Sequence, residues 1–236
     1  MHLIVFDLDG TLVDSYQDIH DALRYALRRS PAGRVSEEAD EAALRAGCHG
    51  LPLQRFFALA RPGADEAAMA PFIDAYRERY YSHLLDTTRP FPGVSEGLAL
   101  LREAPVRMAV ATTKMTETAR RVTQGLGLHR YFDLVLGSDD LPCKPDPAIL
   151  HEVSRQLGLP RPHGGLSGMM VGDTDHDVVA GRRAGLRTCA VGWSYQPREH
   201  LLAAEPDHHA VDFAAVVALA LSFLSGPAAQ PAHGSD

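Results

Sequence analysis

Short apolar runs, each stopping abruptly at polar residues, constrain this chain more than any other feature. Leu3-Ile4-Val5-Phe6 stops at Asp7-Leu8-Asp9-Gly10-Thr11. Residues 106–111 stop at Thr112-Thr113-Lys114, and 134–136 at Gly137-Ser138-Asp139-Asp140. Residues 169–171 stop at Gly172-Asp173, and a fifth run covers 188–191. Runs without alternation suit strands buried on both faces, in a parallel sheet covered by helices. Helical patterns fall between them. Val94, Leu98 and Leu101 keep helical spacing after Gly93. Residues 116–125 open with Thr116 as a cap candidate, 147–157 carry Pro147 in the first turn, and 175–185 close on Gly185. This alternation predicts an α/β fold with a doubly wound parallel sheet.

One interval breaks the alternation. Residues 15–86 show no strand pattern. Ile19, Ala22, Leu23, Ala26 and Leu27 form a stripe at helical spacing. Leu51, Leu53, Phe56, Phe57 and Leu59 suggest a second helix, and residues 72–85 a third. An all-helical insert therefore follows the first strand, with 87–93 as its return linker. The expected division is an α/β core over 1–14 and 87–225, a helical insert over 15–86, and a disordered tail over 226–236.

Composition narrows the partners. With 23 basic and 30 acidic residues the net charge is −7, which argues against nucleic acid. The late apolar run 213–221 is too short to cross a bilayer and reads as a buried helix. Three scattered cysteines give no disulfide framework. With no secretory signal visible, a cytoplasmic protein is expected. Oligomeric state stays open between monomer and homodimer. All the basic residues are Arg except Lys114 and Lys144. That bias reads as base composition, yet it singles out two slim, strongly hydrated cations that Arg cannot imitate.

In open α/β sheets ligands bind beyond the carboxyl ends of the strands. Those ends gather Asp7, Asp9 and Thr11; Thr112, Thr113 and Lys114; Asp139, Asp140 and Lys144; Asp173, Asp175 and Asp177. Clustered carboxylates repel one another unless a cation joins them. Oxygen ligands without a His or Cys partner suit Mg²⁺, which takes remaining ligands from water and phosphate. Hydroxyls, loop amides and a lysine suit phosphate. The residues alone thus point to a Mg²⁺-dependent phosphoryl-transfer site.

Asp7-Leu8-Asp9-Gly10-Thr11 after a strand resembles the first motif of the haloacid dehalogenase-like hydrolase superfamily. Thr112, Lys144 in Lys-Pro-Asp-Pro, and Gly172-Asp173-Thr174 with Asp177 resemble the other three, in the same order. The helical insert is similar to the cap of the phosphoglycolate phosphatase-like subgroup. So is the late stretch Val191-Gly192-Trp193 with Glu199 and Pro206-Asp207. The resemblance covers roughly residues 1–224 and implies a Rossmann-like core.

It also implies roles. Asp7 would be the nucleophile that forms an aspartyl-phosphate. Asp9 would be the acid, then the base. Mg²⁺ would sit among Asp7, the Asp9 carbonyl and Asp173, with Asp177 supporting them. Thr112 and the amides near Leu8 and Asp9 would hold phosphoryl oxygens, and Lys144 would neutralise charge. Thr113 stands where relatives would carry Asn, which leaves its contact open. Plainer readings remain: Thr112 as a helix cap, Asp177 as a helix-face charge, Lys114 as a helix-start lysine, Asp139 and Asp140 as loop acids. His176 is not expected to bind metal.

By the same resemblance, Asp9 argues against carbon–halogen cleavage, whose enzymes in the family lack an acid there, and the absence of Lys from 15–86 argues against the carbon–phosphorus lyases, which use a Schiff-base Lys in the cap. The insert would set specificity, with Arg45 pairing a substrate carboxylate and His49 and Gln54 nearby. The resemblance makes 2-phosphoglycolate the leading substrate among small phosphorylated metabolites. Pyrophosphate, a nucleotide and a sugar phosphate (with mutase chemistry) stay open, as does a non-catalytic phosphate-binding protein.

Overall fold

The computed structural model describes residues 2–32, 36–48, 50–159 and 168–225. The expected tail (226–236) and His49 lie outside them. The chain opens with β1 (His2–Phe6) and β2 (Val13–Asp14), then enters α1 (Tyr16–Arg29), α2 (Glu37–Gly47), α3 (Leu53–Ala60) and α4 (Met69–Ser82). It returns through β3 (Arg89–Pro90) into α5 (Val94–Arg102), β4 (Val106–Thr112), α6 (Thr116–Gly125), β5 (Leu134–Gly137) and α7 (Ala148–Gln156). β6 (Gly168–Gly172), α8 (Asp175–Arg183), β7 (Arg187–Val191), α9 (Arg198–Ala203), β8 (His208–Ala210) and α10 (Phe213–Ser225) complete it.

The main sheet has the order β5-β4-β1-β6-β7-β8, and every pairing in it is parallel. β1 is central because β4 and β6 take its two edges. Its residues alternate between two covered faces, as strand geometry requires. Leu3 and Val5 pack with Ile149, Leu150, Val153 and Ala184 on one face. Ile4 and Phe6 pack with Leu98, Val122 and Phe213 on the other. At Leu3↔Gly168 the backbones approach so closely that a Cβ on Gly168 would lie 1.8 Å from the Leu3 carbonyl oxygen. Only glycine fits there.

Several elements differ from expectation. A sixth strand, β8, pairs with β7. α2 and α9 carried no periodic apolar stripe in the sequence. Thr116 is the first residue of α6, with Met115 at the cap position. The Thr116 hydroxyl instead donates to Asp139 and accepts from the Gly137 N–H.

The helical insert joins the core through a two-stranded antiparallel ribbon, Val13↔Pro90 and Asp14↔Arg89. Beside it, the buried Asp18 carboxylate accepts the Thr88 N–H (2.9 Å) and hydroxyl (2.6 Å), and the Thr87 N–H (3.1 Å) and hydroxyl (2.6 Å). Both ends of the insert are thereby tied at one point. Inside it, Leu23, Leu44, Phe56, Phe57 and Phe72 form a buried cluster continuous with the Phe6 face of the sheet. Among the described residues, no helix is long and apolar enough to cross a membrane.

Candidate active site

Asp7 stands one residue beyond β1, and its N–H donates to Val171 of β6 at 2.9 Å. The ladder thus fixes the Asp7 backbone before its side chain makes any contact. The chain then turns tightly, with the N–H groups of Leu12 and Val13 both donating to the Leu8 carbonyl. Leu8 is wholly buried, so its side chain anchors the loop and leaves only its amide for a ligand.

Lys144 projects from the loop after β5 into the same place. Its ammonium donates to Asp7 Oδ1 (2.8 Å), Asp177 Oδ1 (2.5 Å) and the Ala111 carbonyl (3.0 Å). Three donors meet three acceptors, which satisfies a side chain that is almost entirely buried. Asp177 is no solvated helix-face charge. It is buried, and its Oδ2 accepts the Thr174 N–H and hydroxyl, closing a capping box on α8. Asp173, at the end of β6, is buried and accepts from the Thr11 hydroxyl at 3.1 Å.

Asp7, Asp173 and Asp177 offer carboxylate oxygens within 4.8 Å of one another. Burial, helped by the neighbouring Asp177 and Asp9, raises the Asp7 carboxyl to about 7 against the opposing pull of Lys144. Burial and then the neighbouring Asp7 and Asp177 raise Asp173 well above the usual carboxylate range. Burial alone would lower Lys144, but Asp177 and Asp7 outweigh it and hold the ammonium charged. Ionised together, the three carboxylates and the one ammonium would carry two negative charges, which one divalent cation would balance. All-oxygen donors make the set fit a hard ion such as Mg²⁺.

The Asp9 carboxylate lies outside that trio and is held at both ends. Oδ1 accepts from the Ser15 hydroxyl at 2.6 Å, and Oδ2 pairs with Lys114 Nζ at 3.1 Å. Lys114 in turn donates to the Tyr80 hydroxyl at 2.6 Å, so it is no incidental helix-start lysine. It joins the core loop to α4 of the insert.

A cavity of about 360 Å³ lies between the sheet's carboxyl end and the insert, with Asp7, Asp9, Lys144 and Asp173 on its core side. Thr113, Lys114, His176 and Gln54 also line it. Thr112 is buried at the end of β4, and its hydroxyl accepts the Lys114 N–H at 3.3 Å, a bond within the loop that precedes α6 and does not cap that helix. Asp139 accepts the Thr116 N–H at 2.9 Å at the start of α6, and Asp140 is exposed.

Arg45 is not brought to the cavity. It sits in the last turn of α2 beside the buried Leu44, so helical geometry turns it outward into solvent. The arginine lining the cavity is Arg77, from α4. Sequence reasoning missed Arg77, Tyr76, Tyr80 and Ser15. The four-residue spacing of Tyr76 and Tyr80 on one helix was the available signal.

A family model described as haloacid dehalogenase-like hydrolase matches residues 4–191. A probable phosphatase, IndB, of Dickeya dadantii is 37% identical over 228 residues, covering 94% of each chain. A phosphoglycolate phosphatase of Mesorhizobium japonicum is 32% identical, over 86% of this chain and 88% of its own. Among solved structures, a haloacid dehalogenase-like family hydrolase of Streptococcus pneumoniae superposes with a TM-score of 0.78 at 28% identity. That match covers 93% of this chain and 98% of the other.

Proposed function

The chain belongs to the haloacid dehalogenase-like hydrolase family, and from that premise we propose that it is a Mg²⁺-dependent phosphatase of small phosphate monoesters. The observation that carries the reading is the buried Lys144 bridging Asp7 and Asp177 beside Asp173. Asp7 attacks phosphorus and becomes an aspartyl-phosphate. Asp9 gives its proton to the departing alcohol oxygen, then takes one from the water that cleaves the acyl phosphate. Ser15 and Lys114 keep the Asp9 carboxylate turned to one position for both steps. Lys144 offsets charge on the phosphoryl group, and Thr112 with the amides of Leu8 and Asp9 holds its oxygens. Asp7, Asp173 and the Asp9 carbonyl would hold Mg²⁺, with Asp177 behind them; the ion supplies charge neutralisation and orientation. Residues 15–86 act as a cap over this site.

The Mesorhizobium relative makes 2-phosphoglycolate the first substrate to try. Three unpaired cysteines suit a reducing cytoplasm. Hydrolysis of p-nitrophenyl phosphate with and without Mg²⁺ tests the reading. Turnover should require Mg²⁺ and vanish in Asp7→Asn; turnover unchanged in that variant sinks it.

A further inference from the structure

We propose that the leaving alcohol accepted by this site carries an aromatic or heteroaromatic ring, packed against the partly exposed Tyr76 and Tyr81 of the insert. The inference rests on the phosphatase reading and concerns the part of the substrate beyond phosphorus. The phosphoryl group is served from the core side of the cavity. The opposite wall comes from the insert and has a different character. Ile19, Leu23, Leu51, Leu53 and Ile73 line it, with the three tyrosines. Tyr76 and Tyr80 stack with centroids 5.3 Å apart and planes inclined by 20°. That spacing is usual for offset aromatic pairs; Tyr80 is buried with the Lys114 ammonium 4.6 Å from its ring centroid, so a further ring would extend the stack on the partly exposed Tyr76. No insert residue described on this wall is acidic, although the whole chain carries −7.

Three features select against smaller or more polar leaving groups. The cavity of about 360 Å³ falls in the range, roughly 300–1,000 Å³, that encloses a drug-sized ligand. A two-carbon acid would leave most of the apolar wall against water, at a cost proportional to its area. A short carboxylate would also need an unengaged cation. Lys114 is already committed to Asp9 and Tyr80, so on the described insert wall a carboxylate would have to pair with Arg77, which is solvent-exposed, where an ion pair contributes little. A polyhydroxylated sugar needs a hydrogen-bond partner for each buried hydroxyl. Apart from tyrosine hydroxyls and the Cys48 thiol, the described wall offers Gln54 and Arg77.

The test compares benzyl phosphate, 2-phosphoglycolate and glycerol 3-phosphate in Mg²⁺ by kcat/KM. All three are primary alkyl esters, so leaving-group reactivity does not favour the ring as it would in an aryl phosphate. Benzyl phosphate should lead by about tenfold or more, as expected for stacking added to apolar burial. Tyr76→Ala should remove about tenfold of that lead, while Tyr76→Phe should keep it. Equal or better turnover of 2-phosphoglycolate or glycerol 3-phosphate overturns the inference and leaves the phosphatase reading standing. So does a lead unchanged in a folded Tyr76→Ala. Should that variant not fold, the ranking by the unmodified protein decides. No turnover of any ester, p-nitrophenyl phosphate included, removes both.

Discussion

Replacing Asp18 by Asn tests what fastens the helical insert to the core. The carboxylate accepts from two backbone N–H groups and two hydroxyls of Thr87 and Thr88. Thr88 is fully buried while Thr87 is exposed, so water can replace the bonds at Thr87 alone. An asparagine keeps one carbonyl oxygen and turns an NH₂ toward donors. At least one buried donor of Thr88 is then unsatisfied and the charge assistance of the rest is gone, a loss of about 3 kcal/mol. With an m-value of about 3 kcal/mol/M in urea, the midpoint should fall by about 1 M. Far-UV circular dichroism and Trp193 fluorescence would follow the transition. The loss should also depend on pH. Burial alone would raise the Asp18 carboxyl, but the four donors outweigh it and hold it below the usual range. A depressed folded value means the contribution is complete above the unfolded carboxylate pKa, near 3.9, and disappears as pH falls through the folded value. The gap between the two proteins should therefore be constant from about pH 5 to 7 and close in stronger acid. A midpoint shift corresponding to less than about 0.5 kcal/mol, ordinary for surface substitutions, would refute the reasoning.

Three further outcomes are expected. Lys144→Arg should lower kcat by about 10²-fold or more with the circular dichroism spectrum retained, because a planar fork cannot replace a point charge between Asp7 and Asp177; full turnover would contradict it. Mg²⁺ at a hundred times its Kd should stabilise the protein by about 2.7 kcal/mol in calorimetry, and Asp173→Asn should abolish most of that gain. Gly10→Ala would place a methyl 2.2 Å from Asp173 Oδ2 at a φ of +80°, so Mg²⁺ affinity measured by titration should drop sharply; unaltered affinity would show that Asp173 has room to move.

The apolar runs made the sheet legible because each strand is buried on both faces. β8 escaped because His208-His209-Ala210 has no such run; it is held by pairing with β7. α2 escaped because its stripe is diluted by alanine and acid. In the site, strand ends located Asp7, Asp9 and Asp173, and Lys144 followed from rarity and motif. What stayed hidden depends on side-chain direction. Arg45 and Arg77 are both arginines of the insert, and only helix rotation decides which of them meets the cavity. Lys114 could not be assigned either, since its partner Tyr80 lies 34 residues upstream.

The central place of β1 has a consequence for biosynthesis. β1 is made before either of its neighbours and cannot pair until residues 106–110 and 168–171 have followed it. During translation its apolar run therefore waits with both edges open. Such an unpaired apolar strand is the kind of segment that chaperones shield.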